Sequence, residues 1–420
     1  MIKRPKGTYD IVGADVPYWH HFERVARESA RVFGFKEIRT PILEKTELFT
    51  RSVGDDTDIV QKEMYTFDDK GNRSMTMRPE GTASVIRAFL ENALINDGLP
   101  QKFFYMGPMF RYEKPQTGRY RQFHQFGAEI IGSDLPKADS EIIWQSINII
   151  ERLHLHNFQV HINHIGCPED RSKYKEALKE YYKDHFDSLC SDCQKRYDTN
   201  VLRLLDCKKA EDDEIKQNAP KISEYLCQKC SNEYSELKIQ LKQLSIDIHE
   251  NPFLVRGLDY YTGMVFEVKY PYQDGILDIL GGGRYDSVIE ELGGKSVPAV
   301  GYACGIERIL AIMKEQDVEI QIKPLAEVFV LGMCQEADPF VMKIVKFLRR
   351  KGISVERDLM GRSLKSQMKY ASKIGTRYTI IIGEDEINNG IYVVKDMETG
   401  KQTSVEGSWI ENYIIDKLEE

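Results

Sequence analysis

No apolar run in the 420 residues approaches the ~18 needed to span a bilayer, so no membrane partner is expected. Nor is there a basic excess: 58 Lys and Arg against 66 Asp and Glu leave a formal net charge of -8. That balance excludes a globally basic nucleic-acid coat protein but leaves room for a local basic face. The opening MIKRPKGTYD has no apolar signal core, and the expected address is the cytosol. Also missing are GxxxxGK[ST], GxSxG and HExxH, which excludes a P-loop phosphate cradle, a hydrolase nucleophile elbow and a zinc-protease helix. No internal repeat and no low-complexity tract is found. What is present, 41% apolar and 30% charged residues, describes an ordinary globular chain long enough for several domains.

Residues 15–32 read as a helix, with Asp15 as N-cap and Trp19, Phe22, Val25, Ala26 and Val32 as its apolar stripe. FKEIRTPILE (35–44) reads as a strand broken at Pro41, MYTF and SMTMR as a hairpin, and 81–94 as a buried helix. KFFYMGPMFRYE and RYRQFHQFGAEIIG, joined by KPQTG, form two long extended runs with a polar tip. A helix at 138–153 and a strand at 159–166 follow. Residues 168–250 turn Lys/Asp/Glu-rich and helical, as an inserted subdomain would. Strands resume over 253–270 and 276–286, then a helix over 304–315. Beyond Pro324 a β-α-β-α-β order, a β-ribbon (391–405) and a closing helix (408–418) outline a separate α/β domain.

Four segments carry polar residues inside apolar surroundings: RPEGT (78–82), FRYE with QFHQFGAE (110–113, 122–129), LVRGLDYYTG (254–263) and GGGRYD (281–286). Strands alternate their faces, so Glu80, Arg111, Gln125, Glu129, Arg256, Tyr261 and Tyr285 turned to one side would line a polar cleft. Solvated faces would explain one such segment; four together point to a ligand, because buried charge is costly unless paired. Arg111, Arg256 and Arg308 suit a polyphosphate, whereas Glu80 and Glu129 suit a cationic amine or an N–H-rich ring. GGGRYD alone is a weak signal, since glycine triplets are common in turns.

These segments, with KGTYDI, RTPILE and VGYACGIERI, stand in the order and spacing of the histidyl-tRNA synthetase family, a branch of the class II aminoacyl-tRNA synthetases, which the chain resembles over essentially its whole length. LVRGLDYYTG and GGGRYD resemble that family's histidine-specific signatures. The resemblance implies an α+β fold: an antiparallel catalytic sheet flanked by helices (1–325) with a helical insertion at about 168–250, then an anticodon-binding α/β domain (326–420). It implies that Glu80, Gly81 and Thr82, with Gln125, hold the α-amino group of histidine. Glu129 and Tyr261 would face the imidazole, and Tyr260 and Tyr285 wall the pocket. Arg111 would grip the α-phosphate of ATP, Arg119 and Gln125 would lie beside the nucleotide, and Arg308 would reach the far phosphates. Arg256 would bridge the histidine carboxylate and the α-phosphorus, making Arg256 and Arg111 the catalytic pair.

The implied reaction is adenylation of histidine with Mg²⁺-ATP, followed by transfer to the 3′-terminal ribose of tRNA, in a cytoplasmic homodimer joined through the Pro41 segment. From Lys343 to Arg377 eleven Lys/Arg face only Glu356 and Asp358, a local excess that suits tRNA; Lys365 and Lys369 are the candidate contacts, with Gln116 and Arg121 (beside Lys114 and Arg119) for the acceptor end. The alternative within the same resemblance is a non-catalytic regulatory subunit of ATP phosphoribosyltransferase, which commonly lacks the tail domain.

Five of the eight cysteines fall between 190 and 230. Cys190-x2-Cys193 and Cys227-x2-Cys230 have the spacing of a tetrahedral structural zinc site, with Cys207 as a competitor for one position. The alternative is a set of reduced thiols packing a helical insertion.

Overall fold

The structure, a computed structural model, describes all residues except 55, 56, 115–117, 208, 210, 211, 274, 323 and 420. The chain divides into two compact units, residues 1–320 and 321–420. The first contains α1 (Asp15–Val32), β1 (Lys36–Glu37), β2 (Leu43–Lys45), α2 (Thr46–Val53), β3 (Tyr65–Asp68), β4 (Ser74–Met77), α3 (Thr82–Glu91), β5 (Gln101–Phe110), β6 (Gln122–Ile131) and α4 (Pro136–Arg152). It continues through β7 (Gln159–His164), α5 (Pro168–Lys183), α6 (Ser191–Thr199), α7 (Asp213–Gln217), α8 (Gln228–Gln243) and β8 (Ile248–Glu250). β9 (Thr262–Tyr272), β10 (Gly275–Arg284), α9 (Val288–Glu291), β11 (Ala299–Gly305) and α10 (Ile306–Glu315) complete it.

Eight strands form one sheet in the order β1-β5-β6-β11-β10-β9-β7-β8, antiparallel except at the two edge pairs. Strand alternation divides it into two faces. Phe126, Ala128 and Ile130 of β6, Met264, Phe266 and Val268 of β9 and Val300, Tyr302 and Cys304 of β11 pack in one core with Phe22 of α1, Ile143 of α4, Leu237 of α8 and Ile309 of α10. The intervening residues, among them Tyr105, Val265 and Ala299, meet Val85, Ile86 and Phe89 of α3 on the opposite face. Of the polar residues singled out in the sequence, Gln125 and Glu129 lie in β6 and take this second face by alternation, while Glu80, Arg111, Arg256, Tyr261 and Tyr285 come from the segments that flank the strands.

Several expectations needed correction. Asp15 is the first helical residue rather than the cap, and Val32 is exposed, the helix having turned past the core by its last turn. Residues 253–261 are not strand but an irregular approach to β9, because they supply pocket wall instead of ladder pairing. The helical insertion is shorter than 168–250. Tyr234, Leu237 and Leu241 recur at helical spacing and bury α8 in the main core, and β8 joins the sheet beside β7. The insertion keeps a small core of its own around Tyr174, Leu178, Tyr182, Leu204 and Ile222. Gly281, Gly282 and Gly283 lie within β10, in the strand expected over 276–286.

The second unit holds β12 (Val328–Gly332), α11 (Asp338–Arg350), β13 (Val355–Arg357), α12 (Leu364–Lys373), β14 (Tyr378–Ile382), α13 (Glu384–Asn389), β15 (Ile391–Asp396), β16 (Gln402–Glu406) and α14 (Ile410–Glu419). Its sheet runs β13-β12-β14-β15-β16, parallel over the first three strands and antiparallel at the ribbon. Val341, Ile344, Val345 and Leu348 seat α11 on one face with Ile410 and Ile414 of α14, while Ala371 seats α12 against Phe329 and Leu331 on the other.

Candidate active site

The pocket lies on the α3 face of the large sheet. RPEGT forms the turn between β4 and α3. Its Arg78 is a fastener: Nη1 donates to Thr40 O at 3.0 Å and Nε to Pro108 O at 3.0 Å. Glu80 follows, buried, its two oxygens accepting the Thr82 and Ala83 amides at 2.7 and 2.8 Å. It therefore caps the first turn of α3, where the helix dipole favours a negative group. Burial pushes its carboxyl up, and those two amides pull it back.

Deeper in, Glu129 is fully buried. Thr82 Oγ1 donates to its Oε1 at 2.8 Å, and the Tyr285 hydroxyl donates to Oε2. Burial pushes the Glu129 carboxyl up to about 8 despite both hydroxyls. The rings of Tyr260 and Tyr261 lie 4.6 Å apart, and Tyr260 meets Tyr285 edge-on at 5.6 Å. Glu80, Thr82, Gln125, Tyr260 and Tyr261 line the open pocket. Glu129 and Tyr285 do not; they stand behind Thr82 and Tyr260 as a second rank.

The same pocket is also lined by Arg111, Arg119, Arg256 and Arg308. Arg111 Nε donates to Pro79 O at 2.8 Å, its guanidinium lies 5.3 Å from the centre of the Phe123 ring, and Glu113 stands between Arg111 and Arg119 at 3.8 and 3.4 Å. Arg308 hydrogen-bonds the carbonyls of Gly118 and Asp278. Arg256 pairs with Glu267, which also meets Lys269 at 2.8 Å; Lys269 in turn meets Asp278 across the strands at 2.8 Å. Burial alone would lower the Arg256 pKa, but Glu267 carries it upward, so the cation is secure. Among the described residues, Arg256 Nε and Gln125 Oε1 are buried without a hydrogen-bond partner. Both line the pocket, as groups awaiting a ligand do.

Glycine makes this crowding possible. Glu129 faces Gly301 across the strands, Glu267 faces Gly281, Tyr105 faces Gly127, and Gln125 lies between Gly107 and Gly305. A Cβ at Gly301 would fall 1.5 Å from Glu129 Oε2, and one at Gly281 would fall 2.5 Å from Arg256 Nη1. These strand glycines serve close approach rather than unusual backbone angles.

Sequence reasoning missed three sets of residues. Glu267, Lys269 and Asp278 were readable as charges alternating with apolar residues in β9 and β10. Tyr105, wedged where a Cβ on Gly81 or Gly127 would strike its ring, had no sequence signal. Nor did the insertion's grip on the LVRGLDYYTG segment: Arg171 donates to Tyr261 O at 2.8 Å, Asn200 to Asp259 at 2.8 Å and Arg203 to Gly257 O at 3.3 Å. The Arg284 of GGGRYD proves structural, pairing with Asp139 at 2.8 Å.

The remaining expected contacts are dispersed. Gln116 lies outside the described residues. Arg121 stacks its guanidinium 3.7 Å from the Tyr112 ring centre, engaged at the base of the hairpin. Lys365 and Lys369 are exposed on α12 of the second unit. The expected four-cysteine set does not converge. Cys190 and Cys193 meet Cys207 and Asp212, whereas Cys227 and Cys230 meet Cys167 and Asp170. The two CxxC turns open separate helices, α6 and α8, and each helix start faces a different segment.

Residues 7–309 match the family described as histidyl-tRNA synthetase, and residues 325–417 match the anticodon-binding domain. The histidine–tRNA ligase of Thermotoga maritima is 50% identical over 416 residues, covering 99% of each chain. That of Fervidobacterium nodosum is 50% identical over 423 residues, covering both chains fully. The crystal structure of apo histidyl-tRNA synthetase from S. aureus matches with a TM-score of 0.84 at 37% identity, covering 98% of this chain and 99% of that one.

Proposed function

Because this chain belongs to the histidyl-tRNA synthetase family, we propose that it ligates L-histidine to its cognate tRNA through a histidyl-adenylate. The observation that carries the reading is the mixed lining of one pocket, in which the Glu80 carboxylate, the Gln125 amide and four arginines stand together. An amino acid and a polyphosphate together satisfy that set of groups.

Histidine binds with its ammonium toward Glu80, whose oxygens keep lone pairs beyond those given to α3, and toward Gln125. Its imidazole lies against Tyr261 and the Thr82–Glu129–Tyr285 relay. An aliphatic or phenyl side chain would offer no hydrogen-bond partner to the polar groups of Tyr261 and Thr82 that line the pocket, a mismatch that supports discrimination of about 10⁴–10⁵. The histidine carboxylate attacks the α-phosphorus of ATP and pyrophosphate departs; the 3′-terminal ribose hydroxyl of tRNA then takes the acyl group and AMP leaves. Neither step uses a protein nucleophile. Arg111 and Arg256 align the reactants and meet charge growing on the phosphoryl oxygens, while Arg119 and Arg308 hold the distal phosphates. Glu113 and Asp278, which line the same pocket, offer carboxylate oxygens that would suit a Mg²⁺ ion arriving with ATP, and that ion would neutralise part of the polyphosphate charge.

The second unit reads the tRNA, with Lys365 and Lys369 toward its backbone. A homodimer forms through the Pro41 segment, where Ile42 and Leu43 are exposed apolar side chains in the single chain. Sedimentation should give twice the chain mass. The reaction takes place in the cytoplasm; among the described residues no helix is long and apolar enough to cross a membrane. The regulatory-subunit alternative is not favoured, since every pocket arginine and the tail unit are present.

The test is ATP–pyrophosphate exchange with each of the twenty amino acids. Exchange with histidine alone is expected, followed by charging of histidine tRNA. Absence of exchange despite histidine binding would overturn the reading.

A further inference from the structure

We propose that the helical insertion carries two separate structural zinc sites, each built from three cysteines and one aspartate. The first comprises Cys190, Cys193, Cys207 and Asp212; the second comprises Cys167, Cys227, Cys230 and Asp170. Within each set the ligand atoms all lie within 4.8 Å of one another.

The local geometry is that of metal-binding turns. Cys167, Cys190 and Cys227 each occupy the N-cap of a helix in extended backbone geometry, with the next ligand of the same site three residues on. Cys190 Sγ accepts the Cys193 amide at 3.4 Å, a bond that favours thiolate over thiol. Cys190 and Cys207 Sγ stand 3.8 Å apart. A tetrahedral zinc with ~2.3 Å bonds to sulfur separates its ligands by about 3.8 Å. None of the eight cysteines is in a disulfide.

The aspartates give the second, independent argument. Asp170 and Asp212 are 1% and 3% exposed, and among the described residues neither makes an ion pair with lysine or arginine. Asp212 Oδ1 takes the Cys190 amide at 3.0 Å and Oδ2 the Cys207 thiol at 2.9 Å; Asp170 takes the Cys227 and Cys167 amides at 3.1 and 3.4 Å. Carboxylates buried away from cations persist when they coordinate a metal. Cys230 also nears His164 and Glu233, but that set offers one thiolate, and His164 Nδ1 already accepts the Gly166 amide at 3.2 Å.

Thiolate-rich tetrahedra select zinc over hard cations, and three thiols lose their protons as each ion binds. With no open position these sites staple rather than catalyse. The second joins the start of α5, where the insertion leaves the core, to the start of α8, where the chain returns. The first ties α6 to the segment that precedes α7.

Metal content of the full chain, purified without chelator and reconstituted anaerobically with Zn²⁺, decides the matter. Two zinc ions per chain are expected, with one left in C190S/C207S and one left in C227S/C230S. Cobalt(II) replacing zinc in the unaltered chain should give tetrahedral thiolate spectra titrating to two equivalents, a readout that survives any folding defect of the variants. A stoichiometry of one or none in the unaltered chain overturns the proposal.

Discussion

The guanidinium of Arg256 pairs with Glu267 directly over Gly281, the residue that faces Glu267 in the neighbouring strand. Strand pairing, a missing Cβ and an ion pair thus aim one cation into the pocket with its Nε unspent.

Arg256→His should retain binding of histidine and ATP while adenylation falls about 10²–10³-fold, the scale of losing one preorganised donor to developing charge. Glu267→Gln should lower the rate less, through a mobile Arg256. Pyrophosphate exchange under saturating substrates measures both, and near-normal turnover in Arg256→His would sink its assigned role.

Gly301→Ala places a methyl group where Glu129 Oε2 stands, with Ala128 O only 2.7 Å away. The expected cost is about 1–3 kcal/mol of stability, with a raised KM for histidine and a smaller effect on ATP. Denaturant unfolding and exchange kinetics would show it; unchanged histidine KM would count against Glu129 as the imidazole relay.

Burial raises the Glu129 carboxyl to about 8, so the folded protein binds this proton more tightly than the unfolded chain does. Its contribution to stability is full below the ordinary carboxylate range and is lost as pH rises toward 8. Glu129→Gln imitates the protonated form and should flatten the decline in Tm between about pH 5 and pH 8. Parallel Tm curves for the two proteins would refute the assignment.

Reversing Lys365 and Lys369 to glutamate should weaken tRNA binding without altering histidine-dependent exchange. The slope of log K against log salt should shrink by roughly 1.4–1.8, the value for two lost phosphate contacts. An identical slope would place the tRNA elsewhere.

Much of the site was legible because charge inside otherwise apolar segments is rare. Glu80, Arg111, Gln125 and Arg256 were readable as one cleft before any fold was known, and the family motifs located it further. Glu267 alternates with apolar residues in MVFEVKY, but an isolated acid in a strand reads equally as a solvated face.

What the amino-acid order determined by itself is therefore local and periodic: which residues share a strand face, which stretches are helical, which segments carry charge. Which distant residues meet was decided only by tertiary structure. The two CxxC turns looked like one zinc site, yet the fold sends them to different partners, because contact between residues dozens of positions apart depends on how helices pack. The same holds for Gly301 beneath Glu129 and Gly281 beneath Arg256. A glycine's meaning lies in the space across the sheet, and that space exists only once the strands have paired.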